Sequence, residues 1–136
     1  MRHSSMALCA GVALCGLLSG CGSGDMKVAP VAGIVTLDGE PLERASVLFL
    51  PDEGRPSFGV TDSEGYYTLI YSHKENGAEV GPCTVQVSTK LAPEGNRDDD
   101  APLAPERVPK RYAKDPMKVT ILAEDNTVDI KLTSQQ

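Results

Sequence analysis

The chain has 136 residues, enough for one ordinary domain. Its 13 Lys and Arg stand against 19 Asp and Glu, a net charge of −6 that leaves little positive charge to neutralise phosphates and excludes a nucleic-acid binder. Apolar residues make up 40%, too many for a disordered chain, and 13 Gly with 10 Pro are too many breakers for a helix bundle.

The N-terminus carries an address. Arg2 and His3 give a short positive start, and Met6 to Leu18 is an apolar run of 13 residues. A helix needs roughly 20 residues to cross the hydrocarbon core, whereas a secretory signal needs only about 7 to 15 apolar ones. The run closes on Leu18-Ser19-Gly20-Cys21, which resembles the lipobox of bacterial lipoproteins. That resemblance implies cleavage after residue 20, lipidation of the Cys21 thiol and a membrane anchor made of two or more acyl chains; one chain alone binds only marginally. Gly22 rather than Asp after the cysteine favours the outer over the inner membrane. Removing 20 of the 136 residues, with Arg2 their one charge, leaves 116 and moves the net charge from −6 to −7. Cys9 and Cys15 depart with the signal, so Cys83 has no partner for a disulfide within the mature domain.

Residues 21–27 form the lipidated cysteine and a small, polar tether, whose flexible end-to-end distance is roughly 12–15 Å. Residues 28–136 then read as short strands between turns. Val31, Gly33, Val35 and Leu37 share one parity, and Asp38-Gly39 is a hairpin signal. Ala45, Val47 and Phe49 alternate with Ser46, Leu48 and Leu50, a strand apolar on both faces and therefore expected to be covered on both. Ser57 to Thr61 is a short strand, and Asp62-Ser63-Glu64-Gly65 is a turn in which Gly65 takes a positive φ. Tyr67, Leu69 and Tyr71 alternate with Tyr66, Thr68 and Ile70. Gly81-Pro82 marks a turn before the one-sided strand Cys83, Val85, Val87.

The stretch from Leu91 to Asp115 breaks the rhythm with prolines and Asp98-Asp99-Asp100; a loop of that length is functional or untidy crossover. Val119 and Ile121 resume the pattern, and Val128, Ile130 and Leu132 end it. Sustained helical periodicity is absent from residue 28 onward. Seven short strands at this spacing predict an all-β, seven-stranded β-sandwich.

Three groups of residues carry a family resemblance. Gly33-x-Val35-x-Leu37-Asp38-Gly39-x-Pro41-Leu42 with Ala45-x-Val47-x-Phe49 is the first; Thr61-Asp62-x-x-Gly65-x-Tyr67-x-Leu69 is the second; Gly81-x-Cys83-x-Val85-x-Val87 is the third. Together they resemble the carboxypeptidase regulatory-like domain, which implies a transthyretin-like Greek-key fold. Cys83 departs from that pattern, which commonly has an aromatic there. Gly54-Arg55-Pro56-Ser57-x-Gly59 and Val108-Pro109-Lys110-Arg111-Tyr112 are similar to small bacterial envelope lipoproteins carrying this domain alone. Such a pattern specifies a fold and not a site.

Chemistry-bearing residues are few. His73 is the one histidine of the mature chain and reads as a solvated loop residue, and no Gly-x-Ser-x-Gly elbow marks a nucleophile. The hydroxyisourate hydrolases and intradiol dioxygenases, which share related sandwiches, need several histidines. His73 and Cys83 do not make a transition-metal cluster, and Glu94 with Asp98 to Asp100 lacks the spacing of a calcium loop. Cys83 shares the parity of Val85 and Val87 and reads as buried. Tyr67 and Phe49 read as core, leaving Tyr66 and Tyr112 as exposed aromatic platforms for a glycan. Lys27 and Asn126 flank the first and last strands, the positions an isopeptide bond would use, without specific pairing evidence.

The sequence thus leads to a non-catalytic, lipid-anchored protein of the cell envelope, on its periplasmic face, working as a structural or protein-interaction module. The partners are the membrane, through Cys21, and an envelope protein; no cofactor or metal is called for. Strand edges and the 91–115 loop, with Arg107, Lys110 and Arg111, are the candidate surfaces. The alternative is a small-ligand or glycan-binding lipoprotein.

Overall fold

A computed structural model describes residues 27–92, 94–95 and 100–135. The signal peptide, Cys21 and its tether up to Met26, together with Asp98 and Asp99, lie outside the described residues. Among those described, the fold is all-β with a single helical turn. The strands in chain order are β1 (Val28–Ala29), β2 (Val31–Leu37), β3 (Glu40–Pro41), β4 (Ser46–Pro51), β5 (Ser57–Val60), β6 (Tyr66–Thr68) and β7 (Ile70–Ser72). They continue with β8 (Glu75–Asn76), β9 (Ala78–Glu79) and β10 (Gly81–Ser88), then the turn α1 (Arg111–Lys114), then β11 (Met117–Ile121), β12 (Asn126–Thr127) and β13 (Ile130–Leu132).

Two principal sheets form. The larger runs β11-β10-β4-β5-β7-β8, all antiparallel; the smaller is built around β2, which pairs β12 and β13 in parallel and β3 and β6 antiparallel. A two-stranded pair, β1 with β9, closes one end. Val47, Phe49, Cys83, Val85 and Ile121 of the larger sheet share one core with Val31, Val35, Tyr67, Ile130 and Leu132 of the smaller. Each fully buried large apolar side chain contributes roughly 1.5–3 kcal/mol, and Phe49 and Tyr67 meet at 6.4 Å between ring centroids.

Several expected features appear at their expected residues. Asp38 and Gly39 both have positive φ, 52° and 83°, the geometry of a tight hairpin turn. Gly65 has φ 75° in its turn, where the Asp62 Oδ1 accepts the N–H groups of Glu64 and Tyr66. Val31, Gly33 and Val35 face inward, as do Ala45, Val47 and Phe49.

Other features differ. The Tyr66 to Tyr71 alternation is two strands: at buried Leu69 the chain leaves the small sheet, where β6 pairs β2, and enters the large one, where β7 pairs β5. Leu69 N–H donates to Val31 O while its own carbonyl accepts Gly77 N–H, so both main-chain groups of Leu69 are paired at the crossing. Pro82 is not a turn residue; it lies inside β10 opposite Thr120. The closing stretch from Asn126 is also interrupted, at Val128-Asp129. Finally, β4 is covered on one face only. Leu48 and Leu50 are half-buried, and their sheet neighbours Phe58 and Ile70 are 53% and 41% exposed, because the described chain has no helix long enough to lie over that face.

The long loop after β10 is held down at its second half. Glu106 accepts hydrogen bonds from Ser88 Oγ, Thr89 N and Oγ1, and Val108 N, at 2.6–3.1 Å. Val108 is buried, and Arg44 donates to Ala92 O while pairing with Glu94 at 2.6 Å.

Candidate interaction surfaces

Among the described residues, the larger sheet has one long open edge, β11. In an antiparallel ladder, successive residues of a strand bond alternately to the neighbour on either side. Pro82 has no N–H, and its carbonyl accepts Asp52 N–H on the β4 side. Gly81, Cys83 and Val85 therefore bond β11, through Ile121, Val119 and Met117. That leaves the main-chain N–H and C=O of Lys118 and Thr120 directed away from the sheet. The opposite edge, β8, has two residues and is not a comparable template. Lys118 on the open edge disfavours indiscriminate strand pairing, because charge on an edge resists aggregation.

The outer face of the same sheet is apolar over its middle. Leu48 pairs Phe58 and Phe58 pairs Ile70, forming one row across three strands, with Val60 beside it at 47% exposure. The burial pattern of β5 explains the row. Gly59 faces inward where β6 crosses, and a Cβ on it would collide with the Thr68 carbonyl. With Ser57 and Gly59 turned inward, Phe58 and Val60 must face out.

A shallow groove of about 390 Å³ lies on the small sheet, between Tyr66 and Thr68 on one side and Asp125, Asn126 and Thr127 on the other. Its size falls within the usual range for small-molecule sites. Tyr66 is 45% exposed there; Tyr112 is half-buried and committed elsewhere. The Tyr112 hydroxyl accepts from Thr133 N and from Arg111, whose guanidinium also stacks on the Tyr112 ring and bonds the Thr133 and Gln135 carbonyls. Burial raises the Tyr112 phenol, but these hydrogen bonds outweigh it and leave the group below its ordinary value. The late Val108 to Tyr112 motif thus clasps the C-terminal segment onto the loop. No protein-family model matches the chain, and no curated protein matches it in sequence.

The remaining sequence candidates separate in space. Cys83 is buried, as its parity indicates, and burial, with Asp52 and Glu79 nearby, pushes its thiol up. His73 is exposed in the β7–β8 turn. Glu94 is paired with Arg44, and Asp100 is exposed. Arg107 donates to the Glu43 carbonyl, and Lys110 is exposed. The Asn126 amide donates to the carbonyls of Pro30, Leu122 and Glu124, a turn-stabilising role. At the end where Lys27 enters, Glu79 accepts from Arg55 N and from Tyr71 Oη, which holds its carboxyl below the ordinary range. Among the described residues no group of three or more His, Cys, Asp or Glu is placed to hold a metal.

The outward Phe58 row was not identified from sequence. Its signal was present in Ser57-Phe58-Gly59-Val60, where the small residues alternate with the large ones.

Proposed function

We infer that this chain is a lipid-anchored protein of the bacterial cell envelope. Its Cys21 carries the lipid, and its sandwich is the seven-stranded Greek key of a carboxypeptidase regulatory-like, transthyretin-like domain. It acts without catalysis, as a protein-interaction module on the periplasmic side, with the outer membrane favoured by Gly22. The observation that supports this reading most is the open β11 edge, with the Lys118 and Thr120 main chain directed outward next to a well-buried core. Such an edge takes an extended segment of a partner by strand addition, with main-chain hydrogen bonds supplying affinity.

The test is in-cell crosslinking of the tagged chain with and without Cys21→Ser, followed by identification of what co-purifies from membranes. One dominant partner that is lost on Cys21→Ser is the expected result. No dominant partner in either form contradicts the reading.

The groove beside Tyr66 supports the second reading, a glycan or small-ligand site. It combines an aromatic wall with the amide and carboxylate groups of Asn76 and Asp125. Titration of the purified chain with envelope glycan fragments tests it, with saturable binding abolished by Tyr66→Ala as the expected outcome and no saturation as the contrary one.

A further inference from the structure

We propose that the outer face of the larger sheet, centred on Phe58, seats on the lipid bilayer. This rests on the lipid-anchor reading of Cys21 and adds a second, protein-borne contact with the same membrane.

Charge gives the first argument. The strands of this sheet carry one carboxylate, Glu75, on the short edge strand β8. The outer face itself presents Leu48, Leu50, Phe58, Val60 and Ile70, flanked by neutral Thr84 and Gln86, with Lys118 the cation on β11. In a chain with 19 acidic residues, this face sets few carboxylates against anionic headgroups, Glu106 bordering it where it accepts from Ser88. The end where the chain enters is the alternative contact, and there Glu79 faces Lys27 while Asp52 and Glu53 lie beside Val80 and Pro82. Face-on seating avoids them.

Position gives the second. The Lys27 carbonyl accepts Val80 N–H, immediately before β10 begins, and at that end β4 finishes and β5 starts. Leu50 lies near this end of the outer face, since Pro51 pairs Cys83, and Phe58 sits one row further in, level with Leu48 and Gln86. Six residues separate Cys21 from Val28, a reach of at most about 25 Å. The near end of the patch, at Leu50, therefore lies at the end of the sheet where the tether enters.

Size gives the third. Three strands about 4.8 Å apart and four residues deep project roughly 200 Å², against about 800 Å² per partner in a stable protein interface. The patch is too small to hold a second copy by itself. It suits a surface that a lipid anchor already keeps close, where a minor contact is converted into orientation.

The chain has no Trp, so a single introduced indole reports alone. Full-length lipidated chains carrying Phe58→Trp, Ile70→Trp or Tyr66→Trp are reconstituted into phosphatidylethanolamine–phosphatidylglycerol vesicles with brominated acyl chains. Tyr66 lies on the outer face of the other sheet and is the reference. The proposal expects a blue shift and strong bromine quenching for Phe58→Trp and Ile70→Trp, with Tyr66→Trp little changed. Equal quenching at all three positions, or none, overturns the docking. A blue shift of Phe58→Trp that needs no lipid and grows with protein concentration also overturns it, in favour of a second copy. The mass of the mature chain is read separately: an unmodified Cys21 removes the anchor reading and the docking together, whereas a lipidated chain without selective quenching removes the docking alone.

Discussion

The Tyr67 hydroxyl donates a 2.6 Å hydrogen bond to the Val128 carbonyl, tying the buried centre of β6 to the break between β12 and β13. The carbonyl reaches that point because Gly33 lies beneath it; a Cβ on Gly33 would collide with it. Val128 N–H in turn donates to Ala32 O, and the ladder between β2 and the chain's last strands is continuous through this contact. Burial, with Asp129 as a lesser contributor, pushes the Tyr67 phenol far up, so it stays a donor throughout the working pH range.

Tyr67→Phe keeps the ring in the core and leaves the Val128 carbonyl without its donor. It is expected to cost about 1–2 kcal/mol, read as a lower urea midpoint with an unchanged slope. Gly33→Ala is expected to cost more, because the backbone of residue 128 must move. A Gly33→Ala chain as stable as the parent contradicts the close approach.

Glu106 holds the second half of the long loop through hydrogen bonds from Ser88, Thr89 and Val108. Burial raises its carboxyl, but those hydrogen bonds outweigh it and the folded value lies below the unfolded one. The stabilisation is therefore complete above the unfolded value, about 4.3, and is lost as the pH falls through the lower folded value. Glu106→Gln is expected to lower stability at pH 7 by on the order of 1 kcal/mol, allowing for solvent screening, and to flatten the acid limb of the stability curve. An unchanged acid limb contradicts the assignment.

Cys83 is buried with its thiol pushed up by desolvation, so little reactive thiolate is present. Labelling by a thiol reagent at neutral pH is expected to be slow in the native state and fast in urea. Equal rates in the two states would show that the thiol is open to solvent.

Arg111 and Tyr112 clasp residues 133–135, and the Asp38 carboxylate accepts both Ser134 N–H and Ser134 Oγ–H. The Ser134 hydroxyl, followed by its N–H, holds the Asp38 carboxyl below its ordinary value. Arg111→Ala is expected to speed amide exchange in β13 and the segment after it, while β10 stays protected. Uniform acceleration across both strands would mean a global rather than a local effect.

Much of this fold is legible in side-chain parity and turn chemistry. Val47 and Phe49 face the core as alternation requires, and Asp38-Gly39 turns where φ must be positive. What parity does not reveal is which sheet a strand belongs to. Tyr66 to Tyr71 alternates without a break, yet the chain changes sheets at Leu69. Phe58 was hidden for a related reason: the inward side of β5 is set by room for Gly59 beneath β6, a long-range constraint, and not by the hydrophobicity of β5 itself. The open edge was also beyond reach, because Pro82 reads as a turn signal until its partner Thr120 is known. Cys21, the strongest sequence signal, lies outside the described residues.

The central claim is that the β11 edge binds a partner. Thr120→Pro tests it most directly, since it removes an outward N–H without touching the bonds from β11 to β10, and proline is tolerated on an edge strand when its missing donor faces solvent. The tagged parent and Thr120→Pro chains, matched for thermal midpoint, are crosslinked in cells and their membrane partners quantified. The account predicts one dominant partner with the parent and its loss with Thr120→Pro. An undiminished partner yield with Thr120→Pro contradicts it.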